Sequence, residues 1–172
     1  MVCLLTSGRA LPCKSSVGGL KAVYFADYGT LGTTTIASGE ITAISGSPDF
    51  FKFDIKGNSS LETTINSSRE NGTTFYTQTL NLTLTFLEAK TQAELQEIAK
   101  ARPYVCVEDY YGNQFLCGLE NGMEFVSGTV VSGAAAGDLP GFTLVMEGQE
   151  ELAPYFLDSG LITADAEQIP VN

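Results

Sequence analysis

Histidine and tryptophan are absent from the 172-residue chain, and lysine and arginine together number only nine. Without histidine, the usual Ser–His and Cys–His nucleophiles and histidine acid–base catalysis are excluded. The four cysteines show no Cys-x-x-Cys spacing, which disfavours a structural zinc site. Among carboxylates, Glu108 and Asp109 are adjacent and would point to opposite faces of a strand. We therefore expect no catalytic set, no metal and no cofactor, and a protein that is not an enzyme.

Long hydrophobic runs are also missing. The apolar start MVCLLTSGRALPC is interrupted by Arg9 and Pro12, so it is too short for a signal-peptide core or a membrane span. The sequence thus predicts a soluble protein made in a cytoplasm, with no membrane partner.

Charge is unevenly distributed along the chain. Residues 1–60 hold five basic and four acidic residues, whereas residues 61–172 hold four basic and 16 acidic ones. Phosphate binding requires clustered lysine and arginine, and none is seen. Tight nucleic-acid binding is not expected, although an acidic surface can face DNA without holding it.

The composition favours a β-rich class. Hydrophobic residues make up 44% and charged residues 17%, so Thr, Ser, Asn and Gly must cover much of the surface. We predict a mainly β fold, an antiparallel β-sandwich or barrel with a long hairpin and one flanking α-helix. One β-rich domain with an N-terminal arm is expected over residues 1–156, with a C-terminal tail over 157–172.

An unusually long alternating segment, TTFYTQTLNLTLTF, occupies residues 73–86. It predicts a strand with one apolar face, Leu80, Leu82, Leu84 and Phe86, and one polar face rich in threonine. Ordinary strands have about 5–6 residues. The preceding segment 59–68 alternates through Leu61, Thr63 and Ile65, and Asn71–Gly72 between the two segments is a strong hairpin signal.

A helix is predicted over residues 91–101. Thr91 and Glu94 form a capping-box pattern, Leu95 and Ile98 supply an apolar stripe towards a sheet, and Pro103 favours an end just before it. Further strands are predicted over residues 2–6, 21–27, 40–45, 50–55, 104–109, 114–119, 123–126 and 142–147. Residues 128–141 are expected to be a loop, residues 28–39 either a flexible loop or a loose edge, and the chain from residue 150 an extended arm or partly disordered.

Cys106 and Cys117 flank a predicted turn at residues 110–113 and could face each other across a hairpin. Buried thiols are favoured over a disulfide. The overlong strand has a different implication, because an exposed edge of that length invites aggregation unless it is meant to be paired. The sequence therefore favours assembly with neighbouring copies.

Several motifs carry a family resemblance. The segments ENGTTFY, RPYV, VEDYYGNQFLCGLENG and SGAAAGDLPGFTL, with GGLKAVYFADYG and GEITAI nearer the N-terminus, resemble structural proteins of tailed bacteriophages of the Bacteroidetes and marine type. The element order is similar to the tail-tube family. That resemblance implies a virion protein of the tail, with hexameric rings stacked into a tube through which DNA passes without specific binding.

The resemblance also assigns roles to residues of the long hairpin. Its strands would build the sheet between subunits. The candidate inter-subunit residues are Thr73, Phe75, Thr77, Leu80, Leu82, Leu84 and Phe86, with Leu61, Thr63 and Ile65 on the partner strand. Other virion tail proteins would be the further partners.

Three alternatives stay open. A tail terminator, head–tail connector or baseplate-hub component would use the same fold. A monomeric β-sandwich binding module would contact its ligand through tyrosine-rich loops such as Tyr110 and Tyr111. An enzyme that uses carboxylates is the least favoured.

Overall fold

The structure, a computed structural model, describes residues 7–11, 13–14, 17–55, 57–158 and 160–162. These residues form two β-sheets and one helix, so the predicted mainly β sandwich with one flanking helix is confirmed. The strand predicted over residues 2–6 lies outside the described residues. The elements in chain order are β1 (Leu20–Ala26), β2 (Thr34–Ala37), β3 (Glu40–Ile44), β4 (Phe51–Asp54), β5 (Ser60–Ser68), β6 (Thr73–Thr85), α1 (Ala89–Ile98), β7 (Tyr104–Asp109), β8 (Gln114–Cys117), β9 (Glu124–Val131), β10 (Gly141–Glu150) and β11 (Tyr155–Leu157).

The larger sheet has seven strands in the order β2-β3-β11-β8-β7-β1-β4. Neighbouring strands in this sheet run antiparallel, except β11 and β3, which run parallel. Strand β11 lies within the stretch expected to be an extended arm or partly disordered, and that expectation is wrong for residues 155–157. The apolar side chains of Tyr155 and Leu157 hold this segment in the sheet, and Leu157 is buried.

The smaller sheet has four strands in the order β5-β6-β10-β9, all antiparallel. The predicted hairpin is confirmed, with Ser68 opposite Thr73 and a four-residue turn that ends at Gly72. Strand β6 has 13 residues and pairs with β5 over residues 73–81 and with β10 over residues 76–85. Its length is therefore shared between two neighbours in the same chain.

Two hydrophobic clusters lie on the two faces of the seven-stranded sheet. The first is sandwiched between the sheets and includes Val23, Val105, Leu80, Leu82 and Met146. The second lies on the other face and is covered by loop residues. Its members include Leu31, Ile41, Phe50, Tyr104 and Leu116. The larger sheet is thus buried on both faces, and the smaller sheet on one.

Helix α1 begins at Ala89, two residues before the predicted start. The capping box is wrong, because Thr91 lies inside the first turn and Glu88 is the N-cap, without a side-chain capping bond. The physical reason is that Phe86 adopts a left-handed φ of 69°, which ends β6 and turns the chain early. The helix still covers the core through Leu95 and Ile98, as predicted.

The predicted loop over residues 128–141 is wrong in its first part, because β9 continues to Val131. Gly128 lies in this strand where a Cβ would come within 2.6 Å of the Phe125 ring. The glycine therefore marks a close approach of a side chain to the backbone rather than a turn. Residues 28–39 contain the short edge strand β2, which fits the loose edge that was one of the two alternatives for this segment.

Candidate assembly surface

The four-stranded sheet presents one face to the core and the other to solvent. Leu80, Leu82 and Leu84 are buried between the sheets, and the intervening residues of β6 point away from them. Because directly opposed residues on neighbouring strands share a face, the strand registers assign each residue of the sheet to one side, except Val126, which lies at a bulge in β9. We call the solvent side the polar face.

The polar face carries hydroxyl, amide and carboxylate groups. Its residues on the four strands are Ser60, Glu62, Thr64, Asn66 and Ser68; Thr73, Phe75, Thr77, Thr79, Asn81, Thr83 and Thr85; Gly141, Thr143, Val145, Glu147 and Gln149; and Glu124, Ser127, Thr129 and Val131. None of these residues is lysine or arginine.

Three carboxylates lie in one row across this face. Glu147 is directly opposite Glu124 on one side and Thr79 on the other, and Thr79 is opposite Glu62. Like charges directly opposite each other destabilise a sheet. The row therefore gives the polar face a negative potential at some cost in stability, and that potential repels a polyanion.

The two edges of the four-stranded sheet are long. Strand β5 has nine residues and β9 has eight, and each is bonded on one side only within the described chain. Neither contains lysine, arginine or proline, and the features that could blunt them are one glutamate on each strand and the bulge at Val126 in β9. The edges of the larger sheet, β2 and β4, have four residues each.

Apolar side chains are exposed along both long edges. Ile65 on β5 is 62% exposed, and Val126 and Val130 on β9 are 57% and 59% exposed. Ile65 and Val130 point to the core side of the sheet, where the larger sheet does not cover them. Both edges thus carry the pleated, partly apolar surface that a further strand would bury.

The predicted inter-subunit residues separate into three groups. Leu80, Leu82 and Leu84 lie in the chain's own core; at Leu80 β6 pairs with strands on both sides, and at Leu82 and Leu84 it pairs with β10 alone. Thr73, Phe75 and Thr77 lie towards the hairpin turn, where Thr73 and Phe75 pair with β5 alone. Phe86 was expected on the buried face, but it is 63% exposed because the chain turns at its left-handed backbone.

The partner-strand residues Leu61, Thr63 and Ile65 lie on the free edge itself, on the core side. The long free edge is therefore β5, together with the end of β6 over residues 82–85, which pairs with β10 alone. The first part of β9, the second edge, falls in the strand predicted over residues 123–126, and its continuation to Val131 was missed because its small residues, SGTVV, resemble the loop that follows. A bulge at Val126 interrupts the alternation, since Phe125 and Gly128 are three residues apart and yet both lie on the core side.

Elsewhere, Glu108 is held on the seven-stranded sheet. Lys21 Nζ donates to its Oε1 and Tyr24 OH to its Oε2, each at 2.8 Å. A bulge between Leu20 and Ala22 places Lys21 for this contact. Partial burial acts to raise the pKa of Glu108, but the bonds from Lys21 and Tyr24 outweigh it, and the net shift is downwards.

Glu150, at the end of β10, has no such cation in contact with it among the described residues. It is buried and accepts hydrogen bonds from the backbone N–H groups of Glu120 and Asn121, at 3.1 and 2.9 Å. Burial raises the pKa of this carboxyl despite the two bonds. Through its two hydrogen bonds Glu150 fixes the turn at Glu120 and Asn121 that leads into β9.

Cys106 and Cys117 are free thiols, as favoured from the sequence. Val105, and not Cys106, is opposite Cys117, so the two sulfurs lie on opposite faces of the larger sheet and in different clusters. Burial raises the pKa of Cys117 to about 12 and that of Cys106 well above its ordinary value. Both thiols are packing groups.

The described residues contain no group of three or more His, Cys, Asp or Glu side chains placed to hold a metal ion. No helix in the described part of the chain is long and apolar enough to cross a membrane. The geometry defines a β-sandwich with a two-edged outer sheet. No protein-family model, curated protein or solved structure matches the chain.

Proposed function

We propose that the chain is a structural, non-enzymatic subunit of a bacteriophage tail, tube-like in its assembly, whose copies form rings that surround a conduit for DNA. The observation that carries the proposal is the four-stranded sheet, with two long edges and a polar face free of lysine and arginine. The motif resemblance to tailed-phage proteins supplies the biological setting.

The edges support a ring. In a sheet of four antiparallel strands the two edge strands run in opposite directions, so β5 of one copy and β9 of the next meet antiparallel. Such a head-to-tail contact uses two different surfaces and closes into a ring when the rotation permits. The sheets then form one barrel without edges, which removes the aggregation liability.

The polar face supports a conduit. In that barrel the larger sheet and α1 lie outside, because they cover the core face, and the polar face lines the interior. Ring closure brings the carboxylate row of each copy into a negative lining. DNA repelled from all sides slides without adhering. A ring of six copies would have roughly 24 strands, more than the 16–18 that leave an aqueous channel in porins.

The test is light scattering and negative-stain imaging of the purified chain, alone and with any other tail protein of the same phage that initiates assembly (the initiator). Rings or tubes are the expected result. A monodisperse monomer at high concentration, with and without the initiator, would argue against ring assembly. A terminator, connector or hub component would give single rings that do not stack.

The conduit is tested separately by binding of a short DNA duplex to assembled particles. The unsubstituted assembly should bind none, and Glu147→Lys should create binding that salt abolishes. Glu97→Lys, on the exposed side of α1, is the control and should leave the lumen unchanged. Equal DNA binding by both variants would contradict a lumen position for the polar face.

A second candidate is a monomeric binding module, favoured by one observation. Tyr110 and Tyr111 are exposed at the tip of the β7–β8 hairpin. Asp109 holds that tip rigid, since its carboxylate accepts from the backbone N–H groups of Tyr111 and Asn113 at 2.9 and 2.8 Å. A rigid aromatic pair suits ligand contact. A strictly monomeric particle would favour this reading.

A further inference from the structure

The two free edges of the four-stranded sheet are displaced from each other along the strand direction. Strand β5 pairs directly with residues 73–81 of β6. Strand β9 pairs with β10, and the β10 residues that it faces are paired in turn with residues 79–85 of β6. The middle of one edge is thus opposite Thr77 and the middle of the other opposite Leu82. A neighbouring copy must be shifted by about five residues for its β9 to overlap β5 fully.

Side-chain alternation restricts that shift to an even number. A shift by an odd number of residues would turn the apolar residues of one copy towards the polar face of the next. The choices near full overlap are therefore four and six residues.

The positions of the apolar residues favour a shift of four residues. With that shift Leu61 is opposite Val130 of the next copy and Thr63 opposite Gly128. Beyond the β9 bulge, at which Val126 has no partner on β10, Ile65 is opposite Phe125. The two exposed apolar residues Ile65 and Val130 both gain apolar partners. With a shift of six residues, Val130 would be opposite Thr63 and Phe125 opposite Ser67, so apolar side chains would be buried against polar ones.

The positions of the glutamates on the polar face favour the same shift of four residues. On the polar face Glu62 is then opposite Thr129 of the next copy, and Glu124 of that copy is opposite Asn66. With no shift, Glu62 and Glu124 of adjacent copies would lie side by side. The displacement therefore avoids a second like-charge pair in the ring.

We infer that β5 of one copy pairs antiparallel with β9 of the next, with Leu61 opposite Val130 and Ile65 opposite Phe125. The inference rests on the proposed ring assembly and names its contact.

The same shift sets the tilt of the strands in the ring. A displacement of four residues along the strands is about 13 Å, and the four strands of one copy are about 19 Å wide, so the strands tilt by about 35° from the ring axis. Closed barrels have tilts of about 35–45°. The displaced edges thus have the stagger that closure requires. A ring of six would have a backbone diameter of about 45 Å.

The register is tested by disulfide formation between two singly substituted chains. Glu62→Cys and Thr129→Cys both lie at exposed positions, so each variant should fold and melt like the unsubstituted chain. Under mild oxidation the mixture should give cross-linked heterodimers, because directly opposed Cβ atoms lie about 4.5–5.5 Å apart. The control mixture pairs Glu62→Cys with Ser127→Cys, two residues out of register, and should give several-fold less product.

The outcomes separate the register from the proposed function. Excess product in the Ser127 mixture, Glu62–Glu62 homodimers, or rings without any cross-link would overturn the inferred contact while leaving ring assembly standing. The expected cross-link in open filaments without rings would support the contact and count against the conduit. Monomers without a cross-link would overturn both. The unsubstituted chain controls for the native cysteines.

Discussion

The two sheets differ in how their edges and faces are treated. The seven-stranded sheet is covered on both faces and ends in strands of four residues, β2 and β4, of which β4 carries Lys52. The four-stranded sheet leaves one face bare and ends in strands of nine and eight residues without a basic side chain. A protein built only to be a stable monomer would blunt both sheets. In the proposed assembly the larger sheet is the scaffold and the smaller one the contact surface.

Breaking the layer between the sheets should have the largest effect. Leu82→Asp places a carboxylate in the core, where no cation can reach it, so a loss of more than about 4 kcal/mol in unfolding free energy is expected. Circular dichroism and urea titration measure it. Thr85→Asp, exposed on the same strand, is the control and should cost little. If Leu82→Asp folds normally, the apolar face of β6 is not buried.

The contrast between edges is tested with matched isoleucines. Ile65 on β5 and Ile36 on β2 are 62% and 42% exposed, so lysine at either position should change stability by no more than about 0.5 kcal/mol. Ile65→Lys should raise the concentration for half-assembly about tenfold or more, which corresponds to about 1.4 kcal/mol. Sedimentation would detect the change. Equal effects of the two substitutions would show that the sheets do not differ in role.

The partly buried Glu108 and the buried Glu150 should give opposite pH dependences. The lowered pKa of Glu108 contributes stability above its ordinary value of 4.5, and this is lost as pH falls through the lowered value. Glu108→Gln should therefore cost about 1 kcal/mol at neutral pH and lose that acid dependence. Urea titrations from acidic to neutral pH measure both effects.

Glu150 behaves in the reverse way. Because its pKa is raised, its contribution is present below 4.5 and declines as pH rises through the raised value. In Glu150→Gln this decline should disappear. A stability profile identical to that of the unsubstituted chain would contradict the burial of this carboxyl.

The smallest effect is expected at Phe86. Its left-handed backbone is strained for phenylalanine, so Phe86→Gly should raise stability by up to about 1 kcal/mol. Phe75→Gly, at an exposed phenylalanine inside β6, should lower it by about 1 kcal/mol. Thermal melts distinguish the two. If the exposed Phe86 contacts another molecule in the proposed tube, Phe86→Gly should reduce the stacking of rings. That result would identify the contact.

Alternation predicted the elements that have one apolar face. Leu80, Leu82 and Leu84 and the hairpin with Leu61, Thr63 and Ile65 were predicted correctly because a strand buried on one side has a period of two. Strand β7 was predicted with its correct ends, and Leu95 and Ile98 were placed correctly against the core. The start of α1 was not, because the left-handed turn at Phe86 decided it and the Thr91–Glu94 pattern did not.

Sequence by itself determined a mainly β sandwich, one flanking helix, the long hairpin and an acidic chain without histidine chemistry, since these follow from composition and local periodicity. Only the tertiary structure decided which edges are free. The pairing of β6 with β10 and the insertion of β11 join residues far apart in the chain, so no local pattern reports them. The free edges are therefore β5 and β9, the polar face is the outer side of the smaller sheet, and the displacement of β5 from β9 would set the register for a neighbour in the proposed ring, because these properties belong to the sheet and not to any one strand.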